Sequence, residues 1–167
     1  VGVEPVNVVA TMSRVAQHAD EHFDHHGWSA ELAESRLADG VDPNTSITDA
    51  MTVATARAVE ELGIRTIVCV SGSGFTVRSM ARFRPAARIL GYSADERTVR
   101  QLSLSWGTEP FHLPEDGDVD LRVVAALHMT REQGGVEVGE LVAVLAGTDP
   151  ASRATNELRL ERIPEAP

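Results

Sequence analysis

The residues best placed to do chemistry are Ser71-Gly72-Ser73-Gly74-Phe75-Thr76. They follow an apolar run, Thr66 to Val70, and lead into a segment of helical character, Val77 to Phe83. In an open α/β sheet, ligands bind at the carboxyl ends of strands. The helix that starts there offers unpaired N–H groups and the positive end of its dipole, both of which attract anions. Glycines let the backbone approach an anion closely, and Ser71, Ser73 and Thr76 add hydroxyl donors. The chemistry this predicts is neutral, donor-rich binding of a single phosphate group. The string is not a P-loop, because it lacks the G-K-[ST] ending, and a dinucleotide G-x-G-x-x-G fails at Val77. A tight strand-to-helix turn whose serine caps the helix and binds nothing has the same spacing. Spacing alone does not separate the two readings.

The elements that must position this string follow a regular alternation. Pro5 to Phe23 has helical periodicity in Val8, Val9, Met12, Val15, Ala16 and Ala19, with Pro5 in a first-turn position. Residues 24–45 read as an irregular connector with one short helix from Ser29 to Ala38. Ser46 to Leu62 reads as a helix capped by Ser46, with Asp49 three residues on and Gly63 as its stop. Strands are expected at Thr66–Val70, Arg88–Tyr92, Pro110–Leu113, Leu141–Ala146 and Leu158–Ile163. Between them fall helices at Val77–Phe83, from a Ser93 or Asp95 cap to Trp106, and from Asp118 or Asp120 to Gln133. Strands alternating with helices in this way predict an α/β fold, a mostly parallel sheet with helices on both faces.

Composition narrows the function classes. The chain has 167 residues, enough for one domain with its own core, and a net charge of −10. That charge argues against a nucleic-acid or anionic-membrane partner. There is no lysine, so any phosphate held by a side-chain cation must use arginine. The single cysteine, Cys69, lies in the apolar run and reads as a buried inert thiol. With no disulfide possible within the chain and no apolar span or leader, the expectation is a cytoplasmic protein. The chain starts at Val1 without methionine, so it was either processed or cut from something longer.

Several strings, in order and spacing, resemble the C-terminal α/β domain of pyruvate kinase. They are Ser73-Gly74-Phe75-Thr76, Ala81-Arg82-Phe83-Arg84-Pro85, the run Ala94 to Leu102, Trp106-Gly107, Asp118 to Arg122 and Thr155 to Arg159. Pro5 to Asp20 resembles the last helix of that family's catalytic barrel. The resemblance implies a three-layer sandwich with a five-stranded sheet. Residues 1–23 would be a barrel remnant, 24–45 a connector and 46–167 the C-terminal domain. It also implies a phosphorylated allosteric effector and a homo-oligomer, a tetramer in the family. The effector phosphate would sit on Ser71, Gly72, Ser73, Gly74, Phe75 and Thr76. Arg122 matches a position that can reach a second phosphate, and Gly147 to Thr155 the loop that closes over a sugar bisphosphate. That loop carries Asp149, with Arg153 as its one nearby cation, and Gly72, Phe75 and Glu115 depart from many relatives. A monophosphate effector, a sugar phosphate or AMP, or no effector at all, is therefore expected over fructose 1,6-bisphosphate. The parent enzyme would transfer phosphate from phosphoenolpyruvate to ADP with Mg²⁺ and K⁺. Its catalytic residues and cofactors would lie in the barrel, so no catalytic or metal residue is assigned here and the chain alone is expected to be inactive.

Other candidates read as structure. His18, His22, His25 and His26, with Glu21 and Asp24, offer ligand types, but a solvated helix end explains them. Arg78, Arg82, Arg84 and Arg88 crowd the helix after the glycine-rich string; they could steer anions toward it, and an interface or solvated surface is the favoured reading. His112, His128 and Trp106 form no catalytic set. Two other functions suit the string: a phosphosugar isomerase module, for which no catalytic base can be named, and a structural oligomerisation domain with an empty loop.

Overall fold

The computed structural model describes residues 2–38, 43–114, 117–147 and 154–165. The strands are β1 (Thr66–Val70), β2 (Arg88–Ser93), β3 (Thr108–His112), β4 (Leu141–Ala146) and β5 (Glu157–Arg162). They form one sheet in the order β3-β2-β1-β4-β5, parallel except for β5, which runs antiparallel to β4. The helices are α1 (Pro5–Glu21), α2 (His25–Ala38), α3 (Pro43–Leu62), α4 (Phe75–Ala81), α5 (Glu96–Leu102) and α6 (Val119–Glu132).

Side chains alternate across each strand, so each strand feeds two cores. Ile67, Cys69, Ile89, Ala143 and Leu145 pack with Val59, Val77, Met80, Phe83 and Leu102 from α3, α4 and α5. Val68, Val70, Leu90, Tyr92, Val142 and Val144 pack with Val123, Ala126 and Leu127 from α6. β1 is buried at all five positions, as a central parallel strand must be. The result is the expected three-layer α/β sandwich. Cys69 is fully buried, and burial pushes its thiol pKa up, out of reach of nucleophilic use.

Several helix boundaries differ from the sequence expectation; α4, for one, runs from Phe75 to Ala81 and not from Val77 to Phe83. α2 begins at His25, not Ser29, because the Asp24 carboxylate accepts from the Gly27 amide at 2.9 Å and caps it. A Cβ at Gly27 would fall 2.3 Å from that carboxylate. α3 begins at Pro43, so Ser46 and Asp49 lie inside the helix and do not form its cap. Asp49 is buried there, 3.8 Å from Arg36 of α2. α5 stops at Leu102, four residues short of Trp106, and β3 starts two residues early, at Thr108. Pro110 is tolerated in β3 because that strand is at the sheet edge.

α1 stands apart, with none of its residues buried. Val6 and Met12 are 81% and 65% exposed, an apolar stripe with nothing covering it among the described residues.

Candidate functional site

The chain builds β1, β2 and β3 to one side and then returns to place β4 on the other side of β1. The direction of strand order therefore reverses between β1 and β4, which is where open α/β sheets bind ligands. Ser71–Gly74 leaves the carboxyl end of β1 at this crevice. The chain that re-enters the sheet at β5 meets it there: Thr76 Oγ1 lies 2.7 Å from Thr155 Oγ1, both buried. The Thr155 amide in turn donates to Thr48 Oγ1 of α3 at 2.9 Å.

The loop's carbonyls and amides are treated differently. The Ser93 hydroxyl donates to the Gly72 carbonyl at 3.0 Å, and an Arg78 Nη2 donates to the Ser73 carbonyl at 3.0 Å. These carbonyls are held by the protein. The Ser71 amide is consumed by the Tyr92 carbonyl at 2.9 Å. By contrast, the six amides from Gly72 to Val77 donate to no protein group among the described residues; the first bonded amide of α4 is Arg78, to Gly74 at 3.0 Å. α4 has no side-chain cap. Its N-cap, Gly74, has φ 72°, a left-handed conformation open to glycine. A Cβ there would meet Arg78 Nη1 at 2.8 Å, Thr98 at 3.0 Å and Leu102 at 3.1 Å, so any other residue would be strained in its backbone and would have to displace these neighbours.

Of the eight residues assigned to the site, Ser71, Gly72, Ser73, Gly74 and Phe75 form this loop and helix start, and Gly72 and Ser73 are exposed. The Thr76 hydroxyl meets that of Thr155, while those of Ser71 and Ser73 have no protein partner among the described residues and the Thr76 amide donates to none. Arg122 sits near the start of α6, at the same edge of the sheet, with a buried Nε that has no hydrogen-bond partner. Its neighbour Asp120 is occupied by Arg159. Arg153, Asp149 and Glu115 lie outside the described residues. The sequence offered Thr155 as the end of the closing loop and Ser93 as a possible helix cap, but not their bonds to Thr76 and Gly72. Thr155 is 79 positions from its partner and Ser93 is 21 from its own, and no local signal announces either pairing.

The four histidines do not converge. His18, Glu21 and His22 come within 4.8 Å of one another at the exposed end of α1. His25 bonds the Arg84 carbonyl at 2.6 Å and His26 pairs with Glu60.

The family model described as pyruvate kinase, alpha/beta domain, matches residues 49–160, more than half of the chain. The chain belongs to the pyruvate kinase family. A pyruvate kinase of Clostridium acetobutylicum is 29% identical over 163 residues, covering 97% of this chain and 33% of the relative. One from Methylorubrum extorquens is 30% identical over 157 residues, covering 93% and 31%. The crystal structure of a pyruvate kinase from Cryptosporidium parvum superposes with a TM-score of 0.79 at 20% identity, covering 96% of this chain and 30% of that one. The chain thus spans about a third of the length of the curated pyruvate kinases it matches. No helix among the described residues is long and apolar enough to cross a membrane.

Proposed function

We propose that this chain is the effector-binding and assembly domain of a pyruvate kinase, and that its ligand is a phosphate monoester, a sugar monophosphate or AMP. The observation that carries this reading is the set of six unengaged amides from Gly72 to Val77, beside the free hydroxyls of Ser71 and Ser73. Four of the six, Gly74 to Val77, belong to buried or half-buried residues; such amides are almost always satisfied, so free ones at a sheet crevice ask for an external acceptor. A phosphate's oxygens suit that array, and the loop carries no opposing carboxylate. Regulation would be a coupling free energy between this loop and a remote catalytic site.

The uncovered apolar stripe of α1 supports a partner for that helix. In this reading residues 1–23 close the catalytic barrel of a longer enzyme, residues 46–167 are the regulatory domain, and the assembly is a homo-oligomer. Phosphate transfer from phosphoenolpyruvate to ADP, and the Mg²⁺ and K⁺ that serve it, belong to that barrel. Among the described residues the one grouping of three metal-capable side chains is the exposed His18, Glu21 and His22 set, which has no tie to the loop. A coupled pyruvate assay on the 167-residue chain should therefore show no turnover above buffer. Turnover would place catalytic residues in this chain and overturn the division of labour.

The effector site is tested by thermal unfolding with glucose 6-phosphate or AMP. A ligand at about a hundred times its Kd adds about 2.7 kcal/mol, worth roughly 5–10 °C for a chain of this size. Ser73→Asp places a carboxylate among the amides. It should remove the ligand-induced shift while leaving the unliganded melting temperature near that of the parent chain. An undiminished shift in Ser73→Asp would exclude the loop.

A further inference from the structure

Several of the chain's six histidines are tied to other parts of the fold. His25 bonds the Arg84 carbonyl, His26 pairs with Glu60, and His112 Nε2 bonds the Ala94 carbonyl at 3.1 Å. His18 and His22 are tied only to each other and to Glu21, at the end of α1. One ligand atom from each of these three residues comes within 4.8 Å of the other two. Residues three and four apart on a helix are surface neighbours, so the spacing H-x-x-E-H over 18–22 puts all three side chains on one side. The two imidazole rings stand 4.4 Å apart, inclined by 57°, and His18 Nδ1 is 3.8 Å from Glu21 Oε2.

A second observation fixes which nitrogen His22 can offer. Its Nδ1 lies 2.8 Å from the His18 carbonyl oxygen. A carbonyl only accepts, so Nδ1 carries the proton and the Nε2 lone pair is left over. Giving one ring N–H to a backbone carbonyl is how metal-binding histidines are commonly held, because it sets the tautomer and the ring orientation. The place also suits a cation. His18 lies in the last turn of the helix and His22 is its C-cap, at the negative end of the dipole. The chain as a whole carries a net charge of −10.

We propose that His18, Glu21 and His22 form a binding site for a divalent first-row cation of the zinc class. Two imidazoles and a carboxylate suit Zn²⁺ and its neighbours, whereas Mg²⁺ takes oxygen ligands. Ligand atoms on one zinc ion each lie about 2 Å from it and so at most about 4 Å apart. All three side chains are exposed, and small rotations bring them to that spacing. Water completes the coordination. The bound ion would bridge one turn of α1, a helix with no buried residue to hold it, just before the chain enters α2.

The 167-residue chain, free of any affinity tag and stripped with a chelator, is titrated with Zn²⁺ by calorimetry. A single equivalent should bind. His18→Ala and His22→Ala should each weaken the apparent Kd at least about tenfold, since even a lost outer-shell partner costs about 10–100-fold. Neither side chain is part of a core, so both variants should keep the parent's melting temperature. His26→Ala should bind Zn²⁺ as the parent does, and a large excess of Mg²⁺ should not displace it. Zn²⁺ should also slow hydrogen exchange of the amides of residues 18–22, and His22→Ala should remove that protection. No saturable binding, an unchanged Kd in either His18→Ala or His22→Ala, an equal loss in His26→Ala, displacement by Mg²⁺, or no added protection at 18–22 would each overturn the proposal.

Discussion

After β1 the chain crosses to α4 through Ser71–Gly74. After β2 it crosses to α5 through Ala94 and Asp95, and both helices are seven residues long. Both connections leave neighbouring parallel strands at the same edge of the sheet. The second closes itself. The Asp95 carboxylate accepts from the Arg97 amide at 2.9 Å and from the Thr98 hydroxyl at 3.0 Å. The start of α6 is closed the same way, by Asp118 on the Leu121 amide at 3.0 Å. The first connection has no such group and leaves its amides free. Two of three starts at this edge thus carry their own anion, and the third has the donors without the acceptor. The contrast supports the proposal that the Ser71–Thr76 loop takes an external anion, because the neighbouring starts show how a helix is closed here by the chain's own carboxylate.

The sharpest way to break the contrast is at Gly74. If the loop's shape depends on the left-handed glycine, Gly74→Val should be the most damaging change. Backbone strain and the contacts at 2.8–3.1 Å should together cost about 3 kcal/mol, or roughly 6–12 °C in melting temperature. Gly72→Ala is the control: a Cβ there meets nothing within 4 Å, and the expected change is within about 0.5 kcal/mol. Equal melting temperatures for the two variants would show that the loop tolerates another shape.

Much of this was legible in the sequence, and the reasons differ by element. The run Thr66–Val70 is apolar at every position but its first, and the glycines after it mark the turn, so β1 and the loop could be placed from spacing. β4 was legible for the same reason. α2 was hidden because Gly27 looks like a breaker; it is a cap-permitting residue beneath Asp24. The start of α3 was misplaced because Ser46 and Asp49 form a persuasive local signal, whereas tertiary packing buries Asp49 against α2. The state of the loop's donors was not legible at all. Whether Thr76 is free depends on Thr155, and whether the Gly72 carbonyl is held depends on Ser93. The approach of Arg84 to both Trp28 and Trp106 was equally out of reach, since the three meet only in the fold.

The self-closed starts should lose stability when their carboxylates are removed. For α6, which carries one face of the sheet's core, Asp118→Ala should cost about 1 kcal/mol, or roughly 2–4 °C. External phosphate offers no remedy to a helix end that its own chain normally caps, so the variant's melting temperature should respond to phosphate no more than the parent's does. A larger phosphate response in Asp118→Ala would mean that any bare helix start in this fold recruits an anion. The Ser71–Thr76 loop would then lose its distinction.

The smallest effect expected is one of pH at α5. The Arg97 amide, and next the Thr98 hydroxyl, hold the Asp95 carboxyl below its ordinary value. A carboxyl with a folded pKa below its unfolded one contributes stability that is fully present above the unfolded value. That contribution fades as pH falls through the folded value. Asp95→Asn keeps an acceptor oxygen at the cap but cannot titrate. The melting temperature of the parent chain should therefore exceed that of Asp95→Asn near neutrality, and the gap should close below about pH 4 as the carboxyl takes up its proton. A gap that stays constant from neutral to acid would mean that the charge on Asp95 contributes nothing. The anion at α5 would then be replaceable by any acceptor, and the same would hold for the anion expected at α4.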